Sequence, residues 1–299
     1  MSALVVAAVA AVSLSLARSL VVSALATSQQ QAPAPAGKEH AEIPDTEAAT
    51  CAACHEEIAK GAVVHAPVSE GLCTGCHEFS GSGDATRVRL AGGAASDNTA
   101  PLCTTCHDAV AEALKFPNVH AAAATGDCTS CHEPHRSERR ALLKSPQGEL
   151  CGTCHDGVAS DLKKKSVHAP AASRCTSCHD PHGSLNPRLL REVPNALCQV
   201  CHALPPVAPG AKPVESITIV KGVTVERAAL PLAKQVALDR SGRGHPIVDH
   251  PTSGASDPLK KDRPFTCMSC HAAHGSDTPH MLAFELQPGE GICQKCHEM

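Results

Sequence analysis

Tryptophan and tyrosine are absent from this 299-residue chain, and phenylalanine occurs four times. The large rings that dominate the energetics of an ordinary core are missing, which argues against a conventional layered domain. Without tyrosine there is also no chemistry that relies on a tyrosyl donor or cross-link. Methionine is scarce: Met1 and Met299 sit at the ends, leaving Met268 and Met281. Excess basic charge is lacking too. With 26 basic and 30 acidic residues the net charge is −4, which argues against a nucleic-acid partner.

No cysteine is left over either. All 18 fall in nine copies of Cys-x-x-Cys-His, formed by Cys51 and Cys54 with His55, Cys73 and Cys76 with His77, Cys103 and Cys106 with His107, Cys128 and Cys131 with His132, Cys151 and Cys154 with His155, Cys175 and Cys178 with His179, Cys198 and Cys201 with His202, Cys267 and Cys270 with His271, and Cys293 and Cys296 with His297. This spacing is the attachment signature of c-type haem: two thiols add to the porphyrin vinyl groups and the next histidine gives the iron one axial nitrogen. Zinc ribbons need two Cys-x-x-Cys pairs per metal and have no use for histidine after each one. A disulfide framework does not cut cysteines into identical pentads. Nine haem c groups are therefore expected, one per roughly 33 residues, with cofactor in place of side-chain core. The 21 Gly and 23 Pro suit loops and short helices wrapped around that cofactor. The same composition would also suit disorder, which covalent attachment at nine points opposes.

Residues 1–26 read as an export segment. Ala3 to Ala17 carry no charge, Ser19 to Ala26 are again largely apolar, and Ala24-Leu25-Ala26 offers a small-x-small cleavage site. The basic leader is absent and Arg18 interrupts the apolar run, so an uncleaved membrane anchor is the alternative. Cleavage after Ala26 removes Arg18 alone among the charges and leaves 25 basic against 30 acidic residues. Residues 27–39, with three consecutive Gln and two Ala-Pro steps, read as a disordered linker.

The motifs come in repeats. Val119-His120, CTSCHEPH from Cys128, Leu142-Leu143 and LCGTCH from Leu150 form one unit. Val167-His168, CTSCHDPHGS from Cys175, Leu189-Leu190 and LCQVCH from Leu197 repeat it. Upstream, Val64-His65, CTGCH and LCTTCH form a unit in which Glu78-Phe79-Ser80 replaces x-Pro-His. The last unit has Gly244-His245-Pro246, His250-Pro251, CMSCHAAHGS, Met281-Leu282 and ICQKCH. CAACH at Cys51 is a leading half-unit. These doubled motifs resemble multihaem cytochromes c of the doubled CXXCH motif family, which includes exported electron-transfer proteins and cytochromes of extracellular filaments. The resemblance implies a multihaem cytochrome fold of irregular loops and short α-helices, and attachment of haem on the far side of the cytoplasmic membrane. It divides the chain into haem-binding repeats over 40–202, a haem-free insertion over 203–266 and a last haem pair over 267–299. Inside the insertion, Ile217 to Val220 and Val223 to Val225 flank Lys221-Gly222 and predict a β-hairpin, packed on its own molecule or added to a neighbour.

Nineteen histidines less nine in the motifs leave ten, enough for a second imidazole at every iron. Distal ligands are expected at His40, His65, His120, His135, His168, His182, His245, His250 and His274, with His280 spare. His135 follows His132 by three residues and cannot cross to the opposite face of the same ring, so it must serve another haem; Pro134 turns the chain outward. Unit one lacks its second histidine, which leaves one of its haems to borrow a ligand from elsewhere or to take a different sixth ligand. Filled axial positions favour an electron carrier for redox partner proteins in the periplasm or outside the cell, with no catalytic residue. The alternatives are an oxidoreductase with one open haem, where Arg87 or Arg89 could serve an oxyanion, and a filament subunit whose terminal haems meet those of the next copy. Membrane contact is expected only if the leader is retained.

Overall fold

In the computed structural model, residues 51, 53–80, 87–203, 216–220, 223–226 and 234–298 are described. The leader, the 27–39 linker and His40 lie outside these residues. The longest helix among the described residues, Pro194–His202, has nine residues, and most are a single turn. Helices this short have little stability of their own. Side-chain packing does not supply it, because the buried hydrophobic residues are Ala113, Leu197 and Leu282 alone among those described. The chain has the small core that its missing aromatics predict.

Two local designs alternate. After the second motif of units one and two, histidine ends the loop and acid begins a helix: His107 and His155 precede Asp108–Ala113 and Asp156–Asp161, where Asp108 and Asp156 favour the positive helix start. After the first motif of the three later units, the histidine pairs across a tight return instead, His132 with Leu143, His179 with Leu190 and His271 with Leu282. Two consecutive residues there take left-handed angles, Ala141-Leu142, Arg188-Leu189 and His280-Met281, with φ from 55° to 59°. A buried serine closes each return: Ser137, Ser184 and Ser276 Oγ donate to the carbonyls of Leu143, Leu190 and Leu282 at 2.5–2.6 Å. Burial without such a partner would cost each hydroxyl about 1–3 kcal/mol.

Among the described residues there are ten short strands: β1 Val63–Val64, β2 His77–Ser80, β3 Arg87–Leu90, β4 Asn118–Val119, β5 Arg136–Ser137, β6 Ser166–Val167, β7 Gly183–Ser184, β8 Ser216–Val220, β9 Val223–Glu226 and β10 Gly275–Ser276. Three of the antiparallel pairs join one unit to the next: β1 with β5, β4 with β7 and β6 with β10. In unit one, β2 pairs with β3, so a strand pair stands where the later units have the left-handed return. Within the insertion β8 pairs with β9, Ile217 opposite Val225.

The insertion does not separate the last unit from the rest. Asn195, in the helix Pro194–His202, donates from Nδ2 to the Thr252 carbonyl at 2.8 Å and accepts from the Cys267 amide at 2.9 Å. Asp257 is the anchor of the following loop, with a side chain that is 0 % exposed. It accepts from Arg263 Nε at 2.9 Å, the Leu259 amide at 2.8 Å and the Ser269 hydroxyl. Burial pushes its carboxyl pKa up, but those donors outweigh burial and hold it below the ordinary carboxylate value. Asp257→Ala is expected to lower stability by about 3 kcal/mol, the low end for breaking a buried pair, because Arg263 remains 28 % exposed. A depressed folded-state pKa stabilises above the unfolded value of about 4 and is lost as pH falls through the folded one. Denaturant melts should thus separate the two proteins at neutral pH and bring them together in strong acid.

Candidate functional site

The Val-His histidines owe their position to a switch from strand to helix. His65, His120 and His168 directly follow β1, β4 and β6 in extended conformation and stand at the N-cap positions of the helices Ala66–Ser69, Ala121–Ala124 and Ala169–Ser173. Pro67 and Pro170 stand in the first turns, where a missing amide hydrogen does no harm. The next unit holds each of them in place. The amides of His65, His120 and His168 donate to the carbonyls of His135, His182 and His274 at 2.9, 3.2 and 2.9 Å.

Each of these six rings faces a motif histidine. Ring centroids lie 5.9 Å apart for His65 with His107, 6.0 Å for His77 with His135, 5.9 Å for His120 with His155, 6.2 Å for His132 with His182, 6.0 Å for His168 with His202 and 6.1 Å for His179 with His274. In the last unit His245 faces His271 at 6.1 Å and His250 faces His297 at 6.4 Å. Two imidazoles bound to one metal at about 2 Å, each with its centroid roughly 1 Å behind the nitrogen, would sit roughly 6 Å apart. Packing alone also gives aromatic pairs at such distances, but it has no reason to match a motif ring with a loose ring in all eight cases. The donor set fits two axial ligands of a haem iron flanked by two attachment thiols.

On eight of these rings a second hydrogen bond leaves one nitrogen for a metal. Nδ1 of His132, His179 and His271 donates to the carbonyl of the first left-handed residue, Ala141, Arg188 or His280, at 2.7–2.9 Å, and His202 uses the Lys234 carbonyl at 2.9 Å. His65 donates to Pro134 at 3.0 Å, while His120 and His168 donate to Pro181 and Ala273. Such bonds fix the tautomer with Nε2 as the free lone pair. Burial lowers the pKa of His120, His135, His168, His182, His245 and His274, and the facing imidazole lowers it further. These rings are held neutral, the form a metal requires. In unit one the strand pair supplies no carbonyl, and His77 Nδ1 is a buried ring nitrogen without a partner.

Both motif histidines of unit one have facing rings, His107 the His65 of its own unit and His77 the His135 of the next. The reason is the direction of lending: each x-x-His serves the preceding unit, so the histidine missing from unit one would have faced His55. His280 owes its place to its backbone. It occupies the position of Ala141 and Arg188, its ring is exposed, and its carbonyl holds His271. His280→Asn, which tolerates the same angles, is expected to leave the ferric spectrum and haem content unchanged. Arg89, considered for an oxyanion, pairs with Glu78 at 3.4 Å.

Neighbouring attachment sites lie near one another. The thiols of Cys51 and Cys73, Cys103 and Cys128, Cys151 and Cys175, and Cys198 and Cys267 are close enough to perturb each other's ionisation. Cys76 acts electrostatically on Cys103, as do Cys131 on Cys151, Cys201 on Cys178 and Cys296 on Cys270. Every consecutive pair of motifs is thus adjacent in space, and none of the thiols forms a disulfide.

Sequence reasoning missed the serine latch, the left-handed pair and the carbonyls that hold the rings. Their signal was present in the recurrence of serine two residues after x-x-His and of a paired apolar dipeptide before the second motif. Among the described residues no helix is long and apolar enough to cross a membrane. No curated protein matches the chain. The doubled CXXCH motif is matched at residues 65–112, 120–160, 168–204 and 257–299. Three of these segments begin at His65, His120 and His168, so each encloses one facing pair and lends or borrows the other. With more than half of its length matched, the chain belongs to the doubled CXXCH motif family of multihaem c-type cytochromes.

Proposed function

We propose that the chain carries nine covalent haem c groups and transfers electrons between redox partner proteins outside the cytoplasm, in the periplasm or beyond the cell. The eight facing imidazole pairs carry this reading. Bound between such pairs, haem c supplies reversible one-electron chemistry at an iron with no position left for substrate. The facing histidines would hold the bound haem iron between them, and the carbonyl partners of His65, His132, His179, His202, His250 and His271 would keep those rings from swinging away. The attachment cysteines are neighbours site after site in chain order, which supports a single file from Cys51 to Cys296. His40, outside the described residues, is the loose histidine left over for the iron at Cys51 and Cys54. Because loose rings face eight of the nine motif histidines, a carrier is favoured over a reductase with an open haem.

Pyridine haemochrome quantitation of the purified protein should give nine haems per chain, and low-temperature EPR should show low-spin ferric iron only. Six or fewer haems, or a substantial carbon-monoxide-binding fraction, would end this reading.

A further inference from the structure

The last site is built differently from the others. In the seven other facing pairs the two imidazole planes lie within 14° to 34° of each other. His250 and His297 are crossed at 90°. Their clamps differ as well. His65, His120 and His168 give Nδ1–H to a carbonyl of the next unit, whereas His250 gives it to the adjacent Pro251 carbonyl at 2.7 Å. Phe265 then stands against the His250 ring, with centroids 6.2 Å apart and planes at 61°. Phe265 is itself fixed through its backbone, which exchanges two hydrogen bonds with Gly254 at 3.0 and 3.2 Å. A ring pinned at one nitrogen by its own chain and braced by an aromatic wall cannot turn into the plane of His297.

We propose that Phe265 is a positioning residue that holds His250 crosswise to His297, giving the haem at Cys293 and Cys296 an electronic structure unlike that of the other described sites. The inference rests on the nine-haem reading above. Low-spin ferric iron has one electron hole shared between two orbitals that overlap the imidazole π systems. Parallel rings raise one of these orbitals, and the hole settles there, which stabilises the ferric state and gives a rhombic spectrum. Crossed rings treat both orbitals alike, so the spectrum becomes strongly axial with one large g value. The ferric state also loses that stabilisation. The protein thereby adjusts the potential at the end of the file through ligand orientation, with ligand identity unchanged.

EPR of the oxidised nine-haem protein is expected to show a large-g axial signal carrying about one ninth of the low-spin iron. Cys293→Ala with Cys296→Ala should remove that signal together with one haem. Phe265→Leu, which keeps the backbone bonds to Gly254, should retain nine low-spin haems, transfer the signal into the rhombic envelope and shift that haem's midpoint to a more negative potential. The inference is overturned by absence of the large-g signal from a protein with nine low-spin haems, by its survival in the double cysteine variant or by its persistence in Phe265→Leu. A chain that lacks haem at Cys293 and Cys296 overturns the nine-haem reading itself, and this inference with it.

Discussion

Replacing His135 with alanine is expected to open the iron at Cys73 and Cys76 while leaving the one at Cys128 and Cys131 untouched. His135 is three residues from His132, yet its ring faces His77 in the preceding unit at 6.0 Å. Its neighbour His132 faces His182 of the unit that follows, at 6.2 Å. About one ninth of the ferric iron should become high-spin and bind carbon monoxide. Assignment follows from a second step: adding Cys73→Ala and Cys76→Ala to His135→Ala should abolish the high-spin fraction along with one haem. Survival of that fraction in the combined variant would place His135 at a different iron. His182→Ala should open the site at Cys128 in the same manner, and His274→Ala the site at Cys175.

Gly183→Ala is expected to disturb two sites at once and to destabilise the protein by several kcal/mol, beyond the usual range of about 1–3 kcal/mol for an added methylene. A Cβ at Gly183 would collide with the carbonyl oxygen and carbon of Ala113 and crowd the Asn118 carbonyl. All three are backbone atoms and cannot step aside as a side chain does. Ala113 ends the helix that His107 begins, and Asn118 is the partner of Ser184 in the β4–β7 pair. Relief of the clash must therefore draw β7 away from β4, which moves His182 from His132 and His120 from His155 together. Gly275 is hemmed in by the Asp161 carbonyl in the same way. The junction of units one and two carries Arg136 at the matching position, and there the glycine has moved to the other side: Gly61 lies beneath the Arg136 Cβ, with room of 3.4 Å for a Cβ of its own. Thermal unfolding and the ferric spectrum of Gly183→Ala should both change, and a variant with wild-type stability and low-spin iron throughout would contradict this account.

Much of the site could be read before any fold was known, because Cys-x-x-Cys-His joins its chemistry to five consecutive residues. The facing histidines were legible as a set from their number and their recurrence after Val or x-Pro. Individual partnerships were less so, since they depend on which unit lies against which, a matter of three two-residue ladders such as Val63-Val64 on Arg136-Ser137. Two residues on each side carry too little pattern to announce a pairing. The orientation of His250 was hidden for a similar reason, as it is set by Phe265, fifteen residues along the chain and marked by nothing in its neighbourhood. His280 shows the opposite case, where a chemically eloquent side chain occupies a position chosen for backbone angles.

Because each x-x-His is lent backward, no break between repeats yields a self-sufficient fragment. A protein ending near residue 125 would contain His77 without His135, and one beginning there would contain His135 with nothing to face. Synthesis from the amino end imposes the same arithmetic in time: the ring opposite His77 emerges only after the following repeat has begun to appear. Every such iron centre must wait, half-dressed, for the arrival of its successor, and the growing protein is closed from behind.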